Sequence, residues 1–408
     1  MRTLESHVCG SWHTPTADGP TTHHAVTGVP VASVSSAGVD FDAAAAYARD
    51  VGSPTLRSMT FHERAALLKS VGQLLLAEKE SLYALSTATG ATRADSWVDI
   101  EGGAGVLLGY ASKGRRELPD GTVLLDGEPE ALARDGSFLA AHVATSRLGV
   151  AVQINAFNFP IWGALEKLAP AWLAGVPAII KPATPTAFLT EAMIRLVVDS
   201  GLVPDGALQL VCGSVSGLLD HLDGQDHVAF TGSADTAAIL RAHPTLVARS
   251  VRFNAEADSL NAAILGTAAG PGTTEFDLFI AEVVREMTVK AGQKCTAIRR
   301  ALVPATQLDS VADALATALA DVRVGDPADE CTQMGALVGT TQREEVRSAV
   351  MSLRSATDVV VDACTFHDVD PTVGAFLAPT VLRATDPTAR AIHATEAFGP
   401  VCTLLGYD

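Results

Sequence analysis

The sequence predicts an α/β protein built from two packed domains, and three observations support that expectation. The chain's 408 residues are too many for one simple core. Hydrophobic residues make up 48% of it and charged ones 18%, which leaves ample material for burial. From residue 149 onward, short β-branched runs alternate with helical patterns, as βαβ units around a parallel sheet do.

Residues 1–36 are rich in Thr, Pro, Gly and His and read as an extended leading segment. Residues 40–116 read as helical. FDAAAAYARDV is followed by FHERAALLKSVGQLLLAEKESLYALSTATG, apolar at helical spacing and closed by Gly90. Residues 122–148 alternate in the manner of strands. Next come the strand GVAVQIN, a helix expected to begin at Pro160, the strand AIIKPA and a helix around LTEAMIRLVVDSG. The strand LQLVCG follows, then HVAFTGS with a further helix. VRFNAEADSLNAAILG opens the remainder, where a helix from Glu275 leads into Gly292-Gln293-Lys294-Cys295. A boundary near 254–256 separates the two domains. FGPVCTLLGYD ends on an apolar, strand-like run without a cap or polar tail, so the chain is expected to be C-terminally truncated.

Asp and Glu outnumber Lys and Arg by 46 to 29, a net charge of −17. Such a surface repels phosphate backbones and anionic lipids, so neither a nucleic acid nor a membrane is expected as a partner. A local cationic pocket for an anionic substrate is compatible with that average. No run of about 18 residues is apolar enough to span a bilayer, and the N-terminus, with Arg2, Glu5 and His7, lacks a signal peptide's apolar stretch. The six cysteines (Cys9, Cys212, Cys295, Cys331, Cys364, Cys402) include no CxxC pair, which supports neither a zinc site nor a disulfide framework. A reduced, soluble, cytoplasmic protein without a metal is expected.

Several residues carry candidate chemistry, each with a bland alternative. Cys295 lies between a helix and a strand in AGQKCTAIRR, with Lys294, Arg299 and Arg300 close in sequence. A thiol is the strongest side-chain nucleophile near neutral pH, and nearby cations or amides favour its thiolate. The alternative is a buried cysteine acting as a small hydrophobe. Glu256, just beyond an apolar strand in FNAEADS, is placed to take a proton from water; the alternative is a solvated loop acid. Asn158, in NAFNFP, can donate to an oxyanion, a contribution of about 3 kcal/mol to a barrier, or serve as a turn residue before proline. Lys181 ends a strand at the carboxyl edge of the expected sheet, where ligands bind in open α/β folds. The small residues of CGSVSG (with Gly213) and FTGS (with Ser233) would let backbone amides approach a pyrophosphate, although no GxGxxG is present.

Taken together, AFNFP, IIKPA, FTGS, the strand-end Glu256, GQKC and EAFGP stand in the order and approximate spacing of the aldehyde dehydrogenase superfamily. The chain resembles that family from about residue 20 to 408. The resemblance implies two Rossmann-like α/β domains plus a bridging β-hairpin. The cofactor-binding domain would span 1–121 and 149–254, an oligomerisation hairpin 122–148, and a catalytic domain, incomplete at its C-terminus, 255–408. It implies that Cys295 is the nucleophile, Glu256 the general base, and Asn158 with the Cys295 amide the oxyanion hole. It also implies a cofactor site. Lys181 would bind the adenosine ribose, Gly213 and Ser233 would lie near the pyrophosphate, and Glu396 and Phe398 would position the nicotinamide ribose and ring. NAD-preferring relatives often carry a glutamate three positions after the ribose lysine. Thr184 stands there instead and does not repel a 2′-phosphate, so NADP is expected ahead of NAD.

NAFNFPIWGALEKLAPAWLAG and FTGSADTA are most similar to CoA-linked semialdehyde dehydrogenases of aromatic-acid degradation. Within that group they resemble the dehydrogenase half of the bifunctional phenylacetate ring-opening protein, which implies 3-oxo-5,6-dehydrosuberyl-CoA semialdehyde as the substrate. The alternative is oxidation of 3,4-dehydroadipyl-CoA semialdehyde in benzoate degradation. The expected product is a free acid, since relatives that pass the acyl group to CoA lack a carboxylate at position 256. A simple aldehyde is a further reading for the substrate. A catalytically silent binding protein is a third reading, and the presence of both Cys295 and Glu256 argues against it. A homo-oligomer and a fused or associated hydratase domain are also implied. The sequence departs from the family in having Glu256-Ala257-Asp258-Ser259 for Glu-Leu-Gly-Gly, and Ala156-Phe157 for Pro-Trp.

Overall fold

The computed structural model describes residues 1–408. The chain divides into two compact units. Met1–Thr22, Ala32–Leu82 and Val98–Ala257 form the first; His23–Val31, Tyr83–Trp97 and Asp258–Asp408 form the second. The main division therefore falls between Ala257 and Asp258. Two short segments that the sequence reading placed in the first domain pack in the second unit. The cause is visible at Ala25, which is buried in the second unit's core, receives a bond from the Ala375 amide at 2.7 Å and donates to the Ala88 carbonyl at 2.9 Å.

In the first unit, the leading segment is less loose than its composition suggests. Strands β1 (Ser6–Val8) and β2 (Ser11–His13) extend the principal sheet by antiparallel pairing. Helix α1 (Phe61–Ala77) begins with a capping box, in which the Thr60 hydroxyl accepts from the Glu63 amide at 3.1 Å and the Glu63 carboxylate accepts from the Thr60 amide at 2.7 Å. Helix α2 (Arg93–Glu117) follows. The 122–148 segment forms a two-stranded antiparallel ribbon, β3 (Val123–Leu125) against β4 (Val143–Thr145), with Leu125 and Val143 exposed.

The remaining elements of this unit alternate regularly. They are β5 (Ala151–Ile154), α3 (Trp162–Leu173), β6 (Ala178–Lys181), α4 (Ala187–Asp199), β7 (Leu208–Leu210), β8 (His227–Gly232), α5 (Ala234–Arg241) and β9 (Arg252–Ala257). The sheet order is β9-β8-β5-β6-β7-β1-β2, and the five strands from β5 to β9 are parallel. Chain order reverses between β5 and β8, which creates a crevice at their carboxyl ends. Val152, Ile154, Ile179, Val228 and Phe230 are buried in one core, and each such side chain stabilises the fold by roughly 1.5–3 kcal/mol.

The second unit is a five-stranded sheet with order β10-β11-β14-β13-β12: β10 (Asn261–Ile264), β11 (Ile298–Pro304), β12 (Thr357–Val361), β13 (Thr380–Ala384) and β14 (Val401–Tyr407). All pairings are parallel except that of β12 with β13. Helices α6 (Thr274–Thr288) and α7 (Leu308–Ala320) bury Val283, Met287, Val311 and Leu315 in its core. No helix in the chain is long and apolar enough to cross a membrane.

Candidate active site

The carboxyl edge of the first sheet collects most of the first unit's candidate residues. Lys181 is the last residue of β6, partly buried, and its ammonium has no hydrogen-bond partner. Burial holds its pKa below the ordinary lysine value. Thr184 opens the short 3-10 turn after β6 and is partly buried. Ser233 follows β8 and caps α5, its hydroxyl accepting from the Thr236 amide at 3.3 Å. Glu256 lies within β9, not beyond it. It pairs in register with Thr231 of β8, and its side chain is exposed.

Asn158 sits in the turn after β5 and is 8% exposed. That turn is pinned from several sides. The Asn155 amide donates to the Lys181 carbonyl at 2.9 Å, and Thr190 Oγ1 donates to the Pro160 carbonyl at 3.0 Å. One buried carboxylate oxygen, Asp99 Oδ1, accepts from the amides of Ile161 (3.1 Å) and Trp162 (2.8 Å). Helix α3 consequently starts at Trp162 and not at Pro160, because Asp99 satisfies those first amides and Thr190 has taken the proline's carbonyl. Gly213 has φ 122°, and a Cβ there would come within 2.5 Å of the Ser36 amide nitrogen. The glycine is required by the chain's own packing, so its presence does not argue for a ligand.

A pocket of about 980 Å³ opens in the first unit between α2, α3 and the β8–β9 edge, with Tyr110, Trp162, Lys167, Arg147, Arg252 and Glu256 among its walls. Lys167 is paired with Glu166 at 2.9 Å. Arg147 instead donates to the carbonyls of Gln225 (2.7 Å) and Gly224 (3.0 Å), so its charge is not neutralised by a carboxylate. His227, also in the wall, has its pKa lowered by burial first and then by Arg147. Elsewhere in the first unit, Arg116 pairs with Glu117 at 3.0 Å, and Arg115 does not line the pocket.

In the second unit, Cys295 is exposed, which removes the buried-hydrophobe alternative. Cys212 and Cys402 are buried thiols with raised pKa values, Cys402 to about 12. The loop leading to Cys295 is irregular: Lys290 (φ 56°), Ala291 (φ 49°) and Gly292 (φ 69°) are consecutively left-handed. For the two non-glycine residues that conformation costs about 1–2 kcal/mol each, and surrounding bonds offset it. The Lys290 amide donates to Asp95 at 2.8 Å. Gln293 Nε2 donates to the Lys290 carbonyl at 2.9 Å, and Gln293 Oε1 accepts from the Val338 amide at 3.0 Å. A Cβ on Gly292 would lie 2.1 Å from the Gly399 carbonyl, so GQKC and EAFGP are in direct contact.

The cations near Cys295 in sequence are committed elsewhere. Lys294 pairs with Glu286 at 2.7 Å, both nearly buried. Arg299 donates to the carbonyls of Gly399 (2.8 Å), Gly292 (2.9 Å) and Lys294 (3.1 Å), approaches Glu396 at 3.5 Å and lies 5.4 Å from the centre of the Phe398 ring. Arg300 donates to the Leu260 carbonyl. Glu396 accepts from the Ser259 amide at 3.1 Å, and its pKa is raised by burial. Cys295, Glu396 and Phe398 thus belong to one bonded cluster organised by Arg299 and Ser259.

Comparison with known proteins gives the family. The model of the "Aldehyde dehydrogenase family" matches residues 12–408. The chain belongs to the aldehyde dehydrogenase family. It is 45% identical, over 99% of its length and 79% of the relative's, to a 3,4-dehydroadipyl-CoA semialdehyde dehydrogenase of Aromatoleum evansii. Among solved structures it is similar to a Mycobacterium tuberculosis aldehyde dehydrogenase complexed with NAD+ (25% identity, 100% of this chain and 82% of that one, TM-score 0.85). The fold also matches a Staphylococcus aureus betaine aldehyde dehydrogenase in complex with NAD+ (22% identity, 99% and 78%, TM-score 0.86).

Measured against that family, the Glu256-Ala257-Asp258-Ser259 departure has a structural explanation. Asp258 adopts φ 44°, a left-handed conformation that aspartate tolerates better than most residues, in place of a glycine. Three groups escaped the sequence reading. Asn155 is 4% exposed, with neither amide atom hydrogen-bonded, at the crevice where chain order reverses. Ser259 and Asn261 both bond to the Cys295 carbonyl, Asn261 at 2.6 Å. The polar run EADSLN beyond an apolar strand was the available signal.

Proposed function

We propose that this dehydrogenase oxidises a CoA-linked semialdehyde to the free carboxylic acid, with 3,4-dehydroadipyl-CoA semialdehyde as the leading substrate. The 45% identity across nearly the whole chain to a relative of that name carries the reading, and displaces the phenylacetate-type substrate as first choice. The pocket beside Glu256 is consistent with it, since Arg147 and Arg252 offer charge to an anionic tail.

In the proposed mechanism the Cys295 thiolate adds to the aldehyde carbon, and Asn158 with the Cys295 amide donates to the resulting oxyanion. Glu396 and Phe398 would hold the nicotinamide, which would supply the acceptor for the hydride of that carbon. A thioester on Cys295 remains. Glu256 takes a proton from water, the hydroxide attacks the thioester, and the acid departs as the thiolate is restored.

The first unit's residues suit a dinucleotide. Lys181 offers a partly buried ammonium without a partner and Ser233 begins α5, both at the sheet's carboxyl edge. Glu396 and Phe398 would hold the nicotinamide end. Thr184 favours NADP over NAD, because no carboxylate there opposes a 2′-phosphate. The chain is further proposed to form a homo-oligomer through the 122–148 ribbon, where Leu125, Phe138, Leu139 and Val143 are exposed. Light scattering should give a mass above one chain, reduced by Leu125→Glu.

The substrate test compares kcat/KM for 3,4-dehydroadipyl-CoA semialdehyde, 3-oxo-5,6-dehydrosuberyl-CoA semialdehyde and the same aldehydes without CoA. The first should lead by at least about tenfold, a difference of about 1.4 kcal/mol in transition-state binding. Equal values with and without CoA would reject the CoA-linked reading.

A further inference from the structure

The backbone of the proposed nucleophile is also held by residues outside its own loop. Ser259 Oγ and Asn261 Nδ2 both donate to the carbonyl of Cys295, Asn261 at 2.6 Å, and Asn261 Nδ2 also lies 3.2 Å from the Ala297 carbonyl. The same Ser259 gives its backbone amide to Glu396 Oε2 at 3.1 Å. One tripeptide therefore touches both the residue proposed to attack the aldehyde and the carboxylate proposed to hold the nicotinamide ribose. Its position is fixed in turn, because Asp258 makes the left-handed turn out of the preceding strand and Asn261 begins β10.

We propose that Ser259 and Asn261 are positioning residues that set the orientation of Cys295 by clamping its carbonyl, and that Ser259 registers Glu396 to the same point through its backbone amide. The inference rests on the reading of Cys295 as nucleophile. The physical need is plain: Cys295 is exposed, and its loop passes through three left-handed residues, two of which, Lys290 and Ala291, intrinsically prefer another conformation. Bonds from Arg299 and Gln293 hold the loop before the cysteine. The Ser259–Asn261 pair holds the peptide after it. Without that second grip Cys295 could turn about its φ angle, the peptide before it being held, and carry the thiol away from the line of attack. Misplacement of about 1 Å costs on the order of 10²-fold in rate.

The two functions of Ser259 use different atoms, which makes them separable. Ser259→Ala removes the hydroxyl and keeps the amide, so it should slow attack and spare cofactor binding. Asn261→Ala removes the amide donor, and Asn261→Asp does the same at constant volume while turning an oxygen toward the carbonyl. Ser259→Thr retains the hydroxyl. The measurement is the single-turnover rate of reduced-cofactor formation, with active sites counted by cofactor titration so that partial unfolding does not alter the rate constant.

Ser259→Ala, Asn261→Ala and Asn261→Asp should each lower that rate by about 10- to 100-fold. The Kd for the oxidised cofactor should stay within about twofold of the parent, and Ser259→Thr should restore most of the rate. Rates within twofold of the parent for Ser259→Ala and either Asn261 variant would overturn the proposal. So would a Kd that rises in proportion to the rate loss. Cys295→Ala separates the two levels: if it still forms reduced cofactor at the parent rate, the nucleophile assignment itself has failed, whatever the clamp variants do.

Discussion

The two units place their chemistry by different means. In the first, Lys181, Ser233 and Glu256 are delivered by regular parallel strands, each at or near a strand's carboxyl end and each within one sheet. In the second, Cys295 is delivered by a loop with three left-handed residues, and side chains bonding to carbonyls maintain its path. A strand end tolerates side-chain changes around it, since ladder bonds set its position. A side-chain-supported loop does not. The contrast assigns robustness to the side proposed to hold the cofactor and sensitivity to the side of the proposed nucleophile.

The largest expected effect tests the sensitive half. Cys295→Ala should reduce steady-state turnover by at least about 10³-fold, read as reduced-cofactor absorbance, while cofactor titration remains close to the parent. The buried Cys212 and Cys402 cannot substitute, since burial keeps them protonated. Retained turnover would move the nucleophile to another residue. Next in size is Glu256→Gln on the robust half. It should still give one equivalent of reduced cofactor per site and then stall, with deacylation slowed by about 10²–10⁴-fold. Stopped-flow absorbance with mass spectrometry of the acyl-enzyme reads both phases. Full multiple turnover in that variant would deny Glu256 its role as base.

The same contrast explains what the sequence disclosed. The strand–helix alternation from 149 to 257 was legible because its period and its Gly and Pro punctuation are local properties. Lys181 and Ser233 were legible with it, since a strand end or a helix cap is a position in that pattern. Glu256 was misplaced by a residue or two because β9 continues past the apolar run, its register set by pairing with β8. Helix α3 was started at Pro160 because the sequence gives no hint that Asp99, some sixty positions earlier, would satisfy the amides at 161 and 162. Lys294, Arg299 and Arg300 are close to Cys295 in sequence, which leaves open where they point, and Glu286 and a set of carbonyls occupy them. Ser259 and Asn261 reach Cys295 across more than thirty residues, so the polar run that holds them could mark them as unusual without naming their partner.

The smallest effects concern the side proposed to hold the cofactor, where regular placement should make substitutions change selectivity without loss of the fold. Thr184→Glu should shift the ratio of kcat/KM for NADP over NAD downward by about tenfold or more, since a carboxylate beside a 2′-phosphate is repelled by a few kcal/mol at an effective dielectric near 20. Lys181 gives a pH-dependent counterpart. Its pKa lies below the ordinary lysine value of 10.5 because burial disfavours the ammonium. At pH values below both the native and the unfolded pKa, both states carry the proton and the native state bears the full cost of the buried charge. As pH rises between the two, the unfolded state binds more protons, so stability increases until both are neutral. Lys181→Met should therefore raise the melting temperature at pH 7, with the gain shrinking as pH approaches 10.5, while weakening cofactor binding. A parent enzyme whose melting temperature relative to Lys181→Met is flat across that range would show that the ammonium is solvated, and would take from the sheet edge its poised cation.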